Sequence, residues 1–273
     1  MRSIQLFSLL LVCLFCLSSC KNKKEEQWIS LFNGKDLSGW DIKIAGYALN
    51  ENYKNTFIVE NGALKANYKE YKKFNDEFGH IYYKTPYSLY KLRLEYRFTG
   101  KQTPGGPSWD NRNSGVMIHS QSAASMGIDQ AFPVSLEVQY LGGLGDGERP
   151  TGNLCTPGTT VEYEGKTFLD HIINSKSKTY TCDCWIKSEI IVLGDSIIHH
   201  IIEGDTVLTY TKPKIGGGFV SKDYNWTTAN VPDSLEWIKK DGMPLKEGYI
   251  ALQAESHTIE FRKIELLNLE SGK

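Results

Sequence analysis

No stretch of this 273-residue chain holds an apolar period of 3.6 residues for three turns; its apolar side chains recur in short runs cut by turn signals. That pattern points to a sheet protein. Residues 90–98, YKLRLEYRF, alternate apolar and charged side chains, so one face of a strand is greasy and the other wet. Asn61-Gly62 lies between apolar runs and marks a tight hairpin. Residues 190–193, 197–202 and 207–210 are β-branched runs separated by Gly194-Asp195 and Gly204-Asp205, which read as successive hairpin turns. Residues 248–254 and 258–267 supply two closing strands, and 234–240 one short helix. Many short strands with turn signals predict an all-β fold, a two-sheet antiparallel sandwich or jelly roll. Two long loops, 100–113 and 212–233, stand out as functional candidates.

The N-terminus sets domain boundaries. Arg2 precedes an almost unbroken apolar run over residues 4–17, too short to span a bilayer, and Leu17-Ser18-Ser19-Cys20 ends it with small residues before a cysteine. The expectation is a signal peptide over 1–19, lipidation of Cys20, a charged tether over 20–27, one sandwich domain over 28–268 and a tail over 269–273. Such a protein is exported and held at a membrane only by its lipid, in the periplasm or on the surface of a Gram-negative bacterium. A net charge of −1 gives no long-range pull toward nucleic acid. Six tryptophans and fifteen tyrosines offer the flat rings that saccharide sites use. With Cys13 and Cys16 removed and Cys20 acylated, three cysteines remain in an oxidising compartment. Cys182 and Cys184 would point to opposite faces of a strand, so one of them is expected to pair with Cys155.

The polar faces of three strands carry the functional signal. In residues 114–119, Val116 and Ile118 share a face and His119 falls opposite, with Gly115 and Met117. In residues 136–140 the apolar trio leaves Glu137 and Gln139 on the other side. In residues 249–255, Ile250, Leu252 and Ala254 face the core while Gln253 and Glu255 face away. These residues are either ordinary solvent-facing polar groups or the lining of one saccharide groove, and few lysines or arginines sit among them to keep an open face soluble. Trp109 and Trp226, on the long loops, are expected at the groove's rim. Elsewhere, Gly142 to Gly147 lacks dinucleotide spacing and no helix follows, so no organic cofactor is expected. His199 and His200 should face opposite ways, not form a metal pair.

Leu31-Phe32-Asn33-Gly34-Lys35-Asp36-Leu37-Ser38-Gly39-Trp40 resembles the opening of the 3-keto-disaccharide hydrolase family. Asn113-Ser114-Gly115-Val116, Glu137-Val138-Gln139, residues 248–253 and Ile259-Glu260-Phe261-Arg262-Lys263-Ile264 are similar to its later signatures, in the family's order. The resemblance spans about residues 28–267. It implies a concanavalin A-like jelly roll acting on glycosides whose C3 hydroxyl has been oxidised to a ketone. A separate sugar oxidoreductase would make that ketone.

The chemistry follows from the ketone. It acidifies the C2 proton, whose removal by a positioned base allows the C1–O bond to break by β-elimination, with water adding afterwards. This requires a base of near-neutral pKa and a donor or metal where enolate charge develops. His119 suits the base by type. Glu137 and Glu255 are candidates for base, leaving-group acid or ligands of a divalent cation, while Arg112, Asn113, Gln139 and Gln253 would hold sugar oxygens. Two other readings use the same residues: a conventional glycoside hydrolase with Glu137 and Glu255 as its carboxylate pair, and a non-catalytic carbohydrate-binding lipoprotein.

Overall fold

The computed structural model describes residues 26–217 and 229–270. Cys20, Trp226 and the proposed signal segment lie outside the described residues. Two antiparallel sheets face each other. One runs, in spatial order, β12 (Ile172–Ile173), β9 (Asn153–Cys155), β8 (Leu136–Leu141), β7 (Asn113–Ser120), β16 (Tyr249–Ala254), β5 (Gly79–Tyr83) and β2 (Trp40–Ile44). The other runs β11 (Lys166–Phe168), β10 (Thr159–Tyr163), β15 (Asp205–Ile215), β14 (Ile197–Ile202), β13 (Ile186–Leu193), β6 (Leu89–Phe98), β17 (Ile259–Asn268), β4 (Ala63–Ala66) and β3 (Phe57–Glu60). In this second sheet β1 (Ile29–Ser30) also pairs with β17. This is the two-sheet sandwich of jelly-roll type expected from the strand pattern. The helix expected over 234–240 forms as α1 (Ser234–Lys239).

Turn chemistry explains the hairpins. Asn61 and Gly62 both take positive φ, 52° and 75°, as a two-residue turn between β3 and β4 demands. Glu203 and Gly204 do the same between β14 and β15, at 52° and 92°. On β6, Tyr90, Leu92, Leu94, Tyr96 and Phe98 enter the core while Arg93 and Arg97 stay outside. Val116, Ile118, Leu136, Val138, Tyr140, Ile250 and Leu252 meet them from the seven-stranded sheet. Tyr96 stacks on Tyr140 with centroids 3.9 Å apart. Their buried hydroxyls bond Thr151 Oγ1 at 2.7 Å and Ser188 Oγ at 2.8 Å, so neither ring strands a polar atom. This packing fixes the register of β8 and hence the face on which Glu137 and Gln139 stand.

Three expectations need correction. Cys155 does not pair with Cys182 or Cys184; those two join each other, and Cys155 is free and buried on β9. The premise of alternating faces fails because residues 182–184 lie in a bend before β13, not on a strand; their Cα atoms are 5.2 Å apart, within disulfide reach. The second long loop begins later than expected, since β15 extends to Ile215. His119 turns away from the face shared by Gly115 and Met117. Between Tyr249↔Ser120 and Ala251↔Met117, β7 carries one more residue than β16, a bulge at which His119 takes φ 48°. Its Nε2 bonds the Gly194 carbonyl of the β13–β14 turn at 3.1 Å. The expected divergence of His199 and His200 is present: His200 is buried against Gly152 O and Tyr210 Oη, while His199 bonds Thr209.

Candidate active site

A cavity of about 810 Å³ opens over the outer face of the seven-stranded sheet. β7, β8 and β16 are direct neighbours there. On β8, Glu137 is flanked by Met117 of β7 and Cys155 of β9, and Gln139 by Gly115 and Asn153. Gly115 is the position that lets Glu137 in: a Cβ there would lie 2.6 Å from Glu137 Oε1. The missing side chain allows the Glu137 carboxyl to lie across β7 toward β16, whose end delivers Glu255. Gln139 Oε1 accepts a 3.1 Å bond from Asn153 Nδ2, and Asn153 Oδ1 accepts from Ser175 N at 2.9 Å, which orients the amide. Glu137, Gln139, Glu255 and Asn113 all line the cavity. Loops then cover this face, so that Glu137 is 6% and Glu255 2% exposed.

Burial sets the electrostatics. It pushes the Glu137 carboxyl up to about 8. It raises Glu255 well above the usual carboxylate range, and the negative charges of Glu137 and Asp110 raise it further against a smaller opposing effect of Arg149. Asp110, on the loop behind the cavity, is pushed up to about 7 by burial, tempered by the Ser256 hydroxyl. Cys155 lines the cavity as a neutral thiol, held up by burial and by the two glutamates. Glu137 Oε1, Glu255 Oε2 and Asn113 Oδ1 have no hydrogen-bond partner among the described residues, which leaves them available to a ligand. Arg149 is the one arginine or lysine among the described lining residues. Its Nη1 donates to Gly142 O at 2.6 Å and Arg112 O at 3.1 Å, and its Nη2 to Trp109 O at 3.4 Å. Those backbone contacts hold a permanent positive charge at the cavity wall.

Two buried carboxyls with raised pKa, ordered amides and one fixed guanidinium form a site for oxygen-rich ligands and proton transfer. Residues 27–267 match the family described as the 3-keto-alpha-glucoside-1,2-lyase-like domain. The chain belongs to that family. This places it among carbohydrate-processing proteins and accounts for the motifs that the opening decapeptide begins. No curated protein matches it. Similar solved structures include two from Parabacteroides distasonis, each provisionally described as a glycosyl hydrolase. One is 17% identical, covering 91% of this chain and 97% of its own at a TM-score of 0.48. The other is 18% identical, covering 89% and 100% at 0.49. The carbohydrate-binding module CBM66 of Bacillus subtilis is 11% identical, covering 84% and 96% at 0.43.

Five of the nine site residues expected from the sequence come together in this family member: Trp109, Asn113, Glu137, Gln139 and Glu255. His119 does not, because the bulge redirects it. Arg112 does not, because its guanidinium pairs with Asp183 at 2.8 Å and Cys182 O at 3.1 Å. Gln253 is fully buried beside the cavity floor, opposite His80, but does not line the cavity. Trp226 falls outside the described residues. Arg149, Cys155, His171 and Phe132 line the cavity without having been anticipated. Only Cys155 had a usable signal: as a β9 residue it sits directly across from Glu137. Among the described residues no cluster of three or more His, Cys, Asp or Glu side chains has a metal-holding arrangement, so the suggested divalent cation has no identified ligand set here.

Proposed function

We propose that this protein cleaves 3-keto-glycosides by elimination and hydration, with Glu137 and Glu255 as the proton-transfer pair. The Glu137 charge raises Glu255, and like charges that repel do not both ionise readily, so the pair tends to retain one proton. We assign the acid role to Glu255, whose carboxyl is raised by burial and by the charges of both Glu137 and Asp110, and the base role to Glu137. The Glu137 carboxylate takes the C2 proton, and the C2–H electrons pass into the enolate of the C3 ketone. Arg149, with Asn113 and Gln139, supplies donors for the developing oxyanion. Collapse of the enolate forms a C1–C2 double bond and expels the aglycone oxygen, which takes the Glu255 proton. Water then adds at C1 and a proton returns to C2, giving the free 3-keto sugar and the aglycone alcohol.

The observation that supports this reading is the carboxyl pair itself, buried, raised above the usual carboxylate range and facing a cavity large enough for a glycoside. The test is turnover of a 3-keto-glucoside and of its unoxidised parent by the wild-type protein and by Glu137→Gln. Turnover of the keto form alone, abolished by the substitution, is expected; turnover of the unoxidised glycoside would instead indicate a conventional glycosidase. The ketone has to come from a separate oxidoreductase, since the chain carries no nicotinamide motif. We also propose that the protein is exported and anchored through lipidated Cys20, which incorporation of labelled palmitate, lost in Cys20→Ser, would test.

A further inference from the structure

The cavity changes character from floor to mouth. Its floor is polar and buried, as described above. Its mouth carries Trp109, Leu144 and Ile172, which are 52%, 41% and 46% exposed. Phe132, Ala131 and Pro157 continue this apolar wall inward. Large apolar side chains left open to water around a pocket mark a surface meant to be covered. Trp109 is held rigid for such a role: its ring stacks on Phe78 with centroids 5.9 Å apart and planes 9° from parallel, and Phe78 packs on Phe132 at 4.9 Å. Asn230 at the same wall is turned to backbone, donating to Asp129 O at 3.1 Å. A volume of about 810 Å³ lies high in the range, roughly 300–1,000 Å³, of pockets that hold drug-sized ligands. One sugar ring does not need it.

We infer that the mouth is an aglycone subsite for a flat, apolar group, so that the preferred substrates are aryl glycosides and not disaccharides; this rests on the keto-glycoside reading of the floor. An aromatic platform alone would serve a sugar or an arene. Aliphatic Leu144 and Ile172 decide between them, because they offer a second sugar's hydroxyls no partner, and a hydroxyl desolvated without a bond weakens binding. An aryl group buries the same side chains at no such cost and stacks on Trp109. Cleavage releases the group as its own alcohol or phenol, so nothing beyond water is consumed.

The test compares a 3-keto phenyl glucoside with a 3-keto disaccharide, in wild type and in the double variant Leu144→Ser/Ile172→Ser. Comparing variant with wild type on each substrate cancels the better leaving ability of phenol. We expect KM for the aryl substrate to rise about tenfold and KM for the disaccharide to change less than twofold. Equal losses on both, or a larger loss on the disaccharide, overturn the subsite and assign the mouth to a sugar, with Ser108 and Asn174 as its polar contacts. Calorimetric binding of unoxidised phenyl glucoside reads the subsite without chemistry. If neither keto substrate turns over but phenyl glucoside binds and the double variant weakens it, the reaction assigned to the floor is wrong while the subsite stands. If phenyl glucoside binds no better than the disaccharide, the subsite is wrong.

Discussion

Each sheet carries a pair of buried glutamates on its outer face, and the two pairs keep opposite company. On the ten-stranded sheet, Glu95 and Glu260 are each 8% exposed, nearly as buried as Glu137 at 6%. Glu95 also lines a cavity, a smaller one of about 390 Å³. Yet Glu95 meets Arg262 at 2.6 Å and Lys263 at 2.8 Å, and Glu260 meets Arg97 at 2.7 Å. Trp185 stacks on the guanidinium groups of Arg97 and Arg262 and so orders the cations. Burial pushes the Glu95 carboxyl up, but the hydrogen bonds and charges of Lys263 and Arg262 outweigh it and leave the group below its ordinary value. Glu137 and Glu255 are more deeply buried and lack that cage, and rise. Burial alone therefore does not mark a reactive carboxyl; burial without a matched cation does.

Exchanging one member of each pair sharpens the contrast most. Glu137→Gln should lower kcat on a 3-keto-glucoside about 10²–10⁴-fold, the usual worth of a general base. Glu95→Gln should leave kcat within about twofold while destabilising the fold by roughly 1 kcal/mol, since its partners are substantially exposed. Comparable activity losses in both would erase the distinction between the two faces. Gly115→Ala comes next, because its methyl group would press on Glu137 Oε1. We expect a kcat loss of about 10–100-fold from the displaced carboxyl, with far-UV circular dichroism unchanged; wild-type activity would show that Glu137 does not need to lie across Gly115.

Proton linkage gives smaller but sign-specific effects. Because Glu137 must ionise to act as base, kcat/KM should climb as pH rises through about 8. A profile already flat from pH 5 would contradict the raised carboxyl. For stability, the folded chain keeps the Glu137 proton between the ordinary value of 4.5 and about 8, while the unfolded chain releases it. The folded state binds more protons in that window, so this group costs stability progressively as pH rises from 4.5 to 8. Glu95 works the other way: its depressed folded value stabilises above the ordinary carboxylate range and is lost as pH falls through it. Melting of wild type against Glu137→Gln should therefore show a difference of a few degrees in favour of the variant at pH 8 and none near pH 4. Glu95→Gln should melt below wild type at pH 8, with the gap closing toward pH 3.

Period-two alternation made much of this legible. Glu137 and Gln139 were readable because β8 is regular, with Leu136, Val138 and Tyr140 fixing its inner face. Glu255 was readable because it continues the alternation of β16 one residue past its end. His119 was not, because a single extra residue at a bulge reverses the face of everything beyond it, and no local signal announces one at a histidine. Arg112 flanks a strand but follows the bend at residues 182–184, a contact set by tertiary folding. Arg149 lies in an irregular stretch, where its position depends on carbonyls from Trp109, Arg112 and Gly142 that only the folded chain brings together. Strand periodicity reports faces, whereas loop residues acquire their roles from distant parts of the chain.

The central claim is that Glu137 removes the C2 proton of a keto-sugar, and the most direct measurement follows that proton. A 3-keto-glucoside should be turned over in deuterium oxide, with an enzyme-free control for spontaneous exchange, and the released sugar analysed by mass and NMR. One solvent deuteron is expected at C2 of the product, with both its incorporation and aglycone release lost in Glu137→Gln. Aglycone release at the wild-type rate with the original hydrogen retained at C2 would contradict it, because the C1–O bond would then have broken without the proton transfer that the buried carboxyl pair is proposed to perform.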